Sequence, residues 1–441
     1  MLLFSYTDKN LKMIDDKNKP IAIWPGLKEG VPKPIMPYSP AVKVGDWLFI
    51  AGQLASDFKT GVPEELIPED NDPSTGLGLQ SEFVLRNMAQ TVQASGFNMN
   101  EDTVRIWEWF VSERPNNQNY LDRKYNHDIN LDAYMEIFEK YFDRNNPIRS
   151  SAGIKELMWV ETKVELEVIC LANQGLTKKY ALDDNSPGQG AIKKGDWVFV
   201  SSQAPFDELG NISDSFEQQM EKVIEKLSLL LEQAGSSLES AVKAEVFIAD
   251  QNNFGLMDEI WKKYFPKPPA RFVLPHSGMN HPQSKIEVSL MALTDGASSK
   301  KRVIETSEAP EPFGHEPQAI QVDELLFFST QMAFDSSGKI ADGMVRNLAA
   351  PWYGRPAQSQ MRYMMANINA IAEAAGSSVE NIVRRACFHD DLQWFAESIE
   401  EWAKYFPMDK PASTTIGLNN SMIIDGANTL LDLIAYVPSD T

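Results

Sequence analysis

Apolar and polar residues alternate with period two through residues 41–50 (AVKVGDWLFI), and the alternation breaks at Gly45-Asp46, a pair that closes tight two-residue turns. The stretch predicts a β-hairpin. The pattern returns as AIKKGDWVFV (191–200) and AIQVDELLFF (319–328), and each copy soon ends in a small residue followed by Gln: Gly52-Gln53, Ser202-Gln203 and Thr330-Gln331. After each hairpin the apolar period lengthens to that of an amphipathic helix. All three helices stop at glycine, in NMAQTVQASG (Gly96), EKLSLLLEQAG (Gly235) and NINAIAEAAG (Gly376), the residue that suits a left-handed cap. A strand-like run follows (TVRIWEWFVS, AVKAEVFIAD, IVRRACFHDD). Next comes a second helix whose end recurs as EKYF (139–142), KKYF (262–265) and AKYF (403–406). An alternating strand closes each copy: KVELEVICLA, KIEVSLMAL, NTLLDLIAYV. The pattern therefore predicts three tandem domains, each ordered hairpin, helix, strand, helix, strand, of about 110 to 140 residues.

The landmarks place an N-terminal extension at 1–30 and units at 31–175, 182–298 and 310–441. Linkers are expected at 173–189 and 295–314, where polar and turn-forming residues collect. The first unit carries two insertions, GVPEELIPEDNDPSTG and RPNNQNYLDRKYNHDIN. Long loops on a regular scaffold often carry function.

A chain of 441 residues is too long for one ordinary core, in keeping with three units. No apolar run approaches the roughly 20 residues that span a bilayer. The N-terminus lacks the basic start, apolar core and small-residue cleavage site of a secretory signal, so a cytoplasmic protein with no membrane partner is expected. Cys170 and Cys387 fall in strands of different units and are expected as small core hydrophobes, not a disulfide. The formal net charge of −21 opposes nucleic-acid binding, which rests on Lys and Arg neutralising phosphates. It also repels small anions at long range, so a site for one needs a local, partly buried cation.

Taken together, the hairpin, the ASG helix end and NPIRSS, whose Arg is followed 16 residues later by the first Glu of VELEVICLA, resemble the RidA (YjgF) enamine/imine deaminase family. The resemblance runs three times along the chain. It implies an α+β fold of three chorismate-mutase-like domains. It further implies that these form an intramolecular pseudo-trimer, with a central β-barrel and outer helices, whose clefts lie between neighbouring units.

The resemblance also implies site residues. In the first unit Arg149 grips a substrate carboxylate, Glu165 positions water, Tyr38 lines the cleft, and backbone at Ala51 and Gly52 binds; Ser151 stands where the family often has Cys. The second unit keeps Arg271, Glu287 and Asn252 but has Gly188 in the Tyr position and Ser202 in place of Gly52. The third has Ser413 in the Arg position and no Glu in TLLDL, so its cleft is expected to be chemically dead and its domain structural. Glu167 and Ser289 lie two residues beyond Glu165 and Glu287 on the same strand face, so either member could operate; position in the family favours Glu165 and Glu287.

The chemistry behind these assignments is direct. A guanidinium offers a planar fork of donors that matches a carboxylate and stays charged at any working pH. A carboxylate near a C=N carbon orients water and takes its proton. Such hydrolysis requires no cofactor and no metal, and the five histidines (127, 276, 281, 315 and 389) are scattered without a third ligand at metal spacing. An Arg and a Glu can equally form a structural ion pair. The expected function is a deaminase acting on an imine, an enamine or a related amino-substituted small acid, with a small anionic metabolite as partner and further self-association left open. A chorismatase-like hydrolase and a non-enzymatic metabolite-binding regulator or scaffold are the alternatives; nuclease activity is not expected at this charge.

Overall fold

The computed structural model describes residues 19–25, 37–57, 60–69, 73–111, 131–142, 147–182, 190–275, 278–279, 283–350, 353–418 and 420–439. The whole RPNNQNYLDRKYNHDIN insertion, which includes His127, together with Gly188, His276 and His281, falls outside them.

Three six- or seven-stranded sheets follow one another along the chain. The first contains β1 (Ile21–Ile23), β2 (Ala41–Val44), β3 (Trp47–Ile50), β4 (Gln53–Leu54), β5 (Thr103–Val111), β6 (Ile148–Ile154) and β7 (Val164–Leu171). Helices α1 (Pro73–Ala94), α2 (Met99–Asp102) and α3 (Leu131–Tyr141) belong to it. The second has β8 (Lys178–Tyr180), β9 (Ala191–Lys194), β10 (Trp197–Gln203), β11 (Ala241–Ile248), β12 (Ala270–Pro275) and β13 (Ile286–Leu293), with α4 (Phe216–Ala234) and α5 (Phe254–Tyr264). The third has β14 (Lys301–Ile304), β15 (Ala319–Val322), β16 (Leu325–Phe328), β17 (Ile382–His389), β18 (Ala412–Gly417) and β19 (Thr429–Tyr436), with α6 (Pro356–Ala374) and α7 (Phe395–Trp402).

All three hairpins form where the alternation placed them, and positive φ closes each turn: Gly45 at 53°, Gly195 at 61° and Asp323 at 48°. Asp is one of the few residues besides Gly that tolerates this region. The helix-ending glycines have φ of 81°, 77° and 83°, as the cap requires.

Two expectations are corrected. The linkers hold strands: β8 pairs β9 and β14 pairs β15, as β1 in the N-terminal extension pairs β2. These edge strands read KKY, KRVI and IAI, too short or too charged to show alternation. Second, each unit has a strand beyond the expected order of hairpin, helix, strand, helix, strand: the segment with Arg149, Arg271 or Ser413 runs parallel to its neighbour, β6 along β5, β12 along β11, β18 along β17.

Each sheet has helices on one face, over a separate apolar cluster per unit. The opposite faces share one core drawn from all three units. There Trp47 meets Trp197 edge-on at 5.0 Å, Trp197 lies 5.8 Å from Phe327, and Trp109 lies 5.5 Å from Phe388. The strand that carries Arg149, Arg271 or, in the third unit, Ser413 forms an edge lying against the hairpin of another unit: β6 beside β10, β12 beside β16, β18 beside β3.

Buried charges bridge the same boundaries. Arg105 pairs with Glu245, Lys243 with Asp432 at 2.6 Å, and Arg384 with Glu167, joining first to second, second to third and third to first unit. Among the described residues no helix is long and apolar enough to cross a membrane.

Candidate active site

Arg149 and Glu165 belong to one unit but serve different boundaries. β6, which carries Arg149, is the sheet edge facing the second unit, whereas Gly52 donates its N–H to the Ser413 carbonyl of the third unit at 3.2 Å. The guanidinium of Arg149 is held bidentately by Glu108, at 2.7 and 2.8 Å, and lies over Phe138. Ser151 donates to the same carboxylate, as does the Tyr134 hydroxyl at 2.6 Å. The expected union of Arg149, Ser151 and Glu165 in one cleft is therefore replaced by a structural ion pair on one side and a separate cavity on the other.

Arg271 is likewise engaged. Its Nε donates to Glu316 at 2.6 Å and its Nη2 to Asp258 at 2.7 Å, both carboxylates buried, while its ring neighbours are Trp261 and Phe254. Glu316 arrives from the start of the third unit, and the adjoining Gly314 is packed so close that a Cβ there would lie 2.4 Å from Arg271 Nη2. The exposed Asn252 spends its side chain on Asp250, capping a short 3-10 helix. Glu287 is buried and accepts from Ser202 at 3.4 Å. Ala51 is buried in the hairpin, its N–H bonded to the Pro40 carbonyl.

A small cavity that holds Glu165 lies between the third and first units, at the boundary expected to be inert. Tyr38, Gly52 and Glu165 line it from the first unit; Arg385, Ser413 and Thr415 line it from the third. Its volume is about 50 Å³. That is a few times the ~10–15 Å³ one water needs. Gly52 is required for space: a Cβ would stand 1.8 Å from Glu165 Oε1, so only glycine lets the backbone approach the carboxyl.

Glu165 is 2% exposed and its Oε2 has no partner among the described residues. Burial foremost, then repulsion from Glu167, pushes its pKa up to about 8, opposed by the Thr415 N–H that donates to it. Burial, then the neighbouring Glu165, raises the Tyr38 hydroxyl, which stays protonated. Glu167, the other candidate of the pair, is committed elsewhere, to Arg384 and to Thr414 at 2.8 Å.

A family model described as Endoribonuclease L-PSP matches residues 29–172, 184–294 and 306–422. The chain belongs to the RidA/YjgF family. It is similar to a RutC family protein of Pyrococcus abyssi, 41% identical over 88 residues, covering 19% of this chain and 69% of that protein. It is also similar to a chloroplastic Reactive Intermediate Deaminase A of Arabidopsis thaliana, 38% identical over 88 residues, 19% of this chain and 47% of that one. A solved structure, named as a putative endoribonuclease L-PSP from Entamoeba histolytica, aligns over 31% of this chain and all of its own, with 26% identity and a TM-score of 0.27.

Three RidA-like copies thus share one chain, and residue-by-residue mapping onto the family missed the cation of the cavity, Arg385. The signal was present: IVRRACFH puts two arginines side by side in a strand, where they must face opposite ways. Also missed were Met158, Trp159, Phe395 and Ile399, which supply apolar wall and carry no chemical signature. Both free cysteines are buried in strands. The His315 backbone N–H donates to the Asp258 carboxylate and its ring Nε2 bonds the Phe265 carbonyl, and no described cluster of His, Cys, Asp or Glu could hold a metal.

Proposed function

We propose that this protein hydrolyses the C=N bond of a small 2-imino acid, or of its enamine tautomer, to the 2-oxo acid and ammonia, in the cavity between the third and first units of an intramolecular pseudo-trimer. The observation that carries the reading is Glu165, a buried carboxyl with an open oxygen whose pKa near neutrality suits it to give and take a proton. The similarity to a protein named reactive intermediate deaminase supports the reaction class.

The steps balance with this one group. Neutral Glu165 protonates the substrate nitrogen while a water oxygen attacks the C=N carbon, and the resulting carboxylate takes the water's proton. Glu165 then protonates the amine of the carbinolamine; the C–N bond breaks as the hydroxyl oxygen forms C=O and returns its proton. Tyr38, which lines the cavity and stays protonated, would hold the oxygen in this reading, and the close backbone at Gly52 leaves room for the Glu165 carboxyl. A hydrolase of a dicarboxylate needs a second cation; Arg385 is the one arginine or lysine among the described lining residues.

The test is ammonia release from 2-iminopropanoate formed in situ by eliminating water from serine. The protein should accelerate release, and Glu165→Gln should lower the rate by about 10²–10⁴-fold. Wild-type protein that leaves spontaneous hydrolysis unchanged sinks the reading.

A further inference from the structure

The adjacent arginines of β17 divide between two environments. Arg384 turns to the buried charges at the unit boundaries, bonding Glu167 and Asp432. Arg385 takes the other face, 1% exposed, with its guanidinium 4.8 Å from the Trp402 ring. Its Nη1 donates to Ser413 Oγ at 2.7 Å, while Nε and Nη2 have no nitrogen or oxygen partner among the described residues; the buried Cys387 thiol, a weak acceptor, lies beside the guanidinium. Those two nitrogens form one edge of the guanidinium, the edge that meets a carboxylate with two parallel N–H bonds. Buried donors left open in this way are costly and are normally satisfied.

Strand register relates this cation to the arginines of the other two units. β17 and β18 run parallel with Arg385 opposite Ser413; in the first unit Ile106 lies opposite Arg149, and in the second Ala244 lies opposite Arg271. The third unit has thus moved its guanidinium across by one strand. The same transfer occurs among the bridging charges. Ser289 occupies the place of Glu167 and Asp432, and the carboxylate comes from the adjacent strand as Glu245, which accepts from Ser289 Oγ at 2.8 Å. The other two arginines of the family position are spent on the chain's own carboxylates, Arg149 on Glu108 and Arg271 on Glu316 and Asp258.

We infer that Arg385 is the carboxylate anchor of the chain's working cleft and that its ligand is a small monocarboxylate, a 2-oxo or 2-imino acid with a short apolar side chain. The inference rests on the deaminase reading for the reaction but not for binding. The cavity's small volume limits the ligand to a few heavy atoms, and Leu54, Met158, Trp159, Phe395 and Ile399 give it an apolar wall.

Calorimetric titration with pyruvate and with its uncharged methyl ester tests the anchor. Wild-type protein should prefer pyruvate, and Arg385→Met should weaken pyruvate about 10- to 100-fold while leaving the ester unchanged. The double variant Arg385→Ile/Ser413→Arg, which recreates the first unit's arrangement, should recover most of that loss. Arg385→Met with wild-type pyruvate affinity overturns the inference. If that variant fails to fold by circular dichroism, a crystal of the wild-type protein soaked in pyruvate decides: a carboxylate on Arg385 supports the anchor, and one on Arg149 or Arg271 overturns it. Pyruvate binding that depends on Arg385 without imine turnover removes the deaminase reading and keeps the anchor; imine turnover with unchanged KM in Arg385→Met does the reverse.

Discussion

At the scale of single residues, Glu165 carries opposing demands. Its carboxyl has a pKa of about 8 in the folded chain against 4.5 for the ordinary group. Between those values the folded state binds more protons than the unfolded one, so this group lowers stability as pH rises from about 5 to 8, and the cost is level beyond that. Glu165→Gln removes the titration. Its melting temperature should therefore gain on the wild type between pH 5.5 and pH 8, a growing advantage worth a few kcal/mol by the linkage relation. Parallel thermal melts at the two pH values check this, and a difference that does not change with pH contradicts it. The same ionisation sets the direction for catalysis: a carboxyl that must start neutral predicts turnover falling as pH passes 8, read from a pH–rate profile.

At the scale of elements, the arginine strands do two jobs that look identical in sequence. Arg149 on β6 is a packing residue: it neutralises Glu108, which has no solvent exposure. Arg149→Met should cost about 3 kcal/mol, since removing one partner of a buried pair strands the other charge. Pyruvate affinity should be unaffected. Denaturant melts and titration together check this, and a variant of wild-type stability that has lost pyruvate binding contradicts it. The hairpins, long helices and closing strands were legible because period and glycine stops report backbone geometry locally. β8 and β14 were not, since short charged edge strands bury too little to leave a pattern. Tyr38, Gly52 and Glu165, named from the family's positions, line one cavity. Their pairing with Arg149 was wrong because residue order does not say which boundary each end of a sheet faces. Arg385 escaped because a charge that moves to the neighbouring strand leaves a blank where it is looked for.

At the scale of the whole molecule, the three units each have a core of their own under the helices and share a further one between their sheets. The apolar core drawn from all three, and ion pairs such as Lys243–Asp432 that cross each boundary, couple their stabilities. Scanning calorimetry should show one transition whose calorimetric and van't Hoff enthalpies agree; three resolved peaks would mean independent units. Asp432→Asn strips the carboxylate shared by Lys243 and Arg384 and should lower that single transition as a whole. The cavity joins strands from the two ends of the chain: Thr414, beside Ser413 and Thr415, is bonded to Glu167 across 247 residues of sequence. Synthesis at ~5–20 residues per second separates the two halves by tens of seconds. During that interval Glu165 and Glu167 on the nascent first unit stand in water, ionised, on a face that has nothing to pack against. Until β18 is made, the first unit has no third-unit strand to complete this cavity.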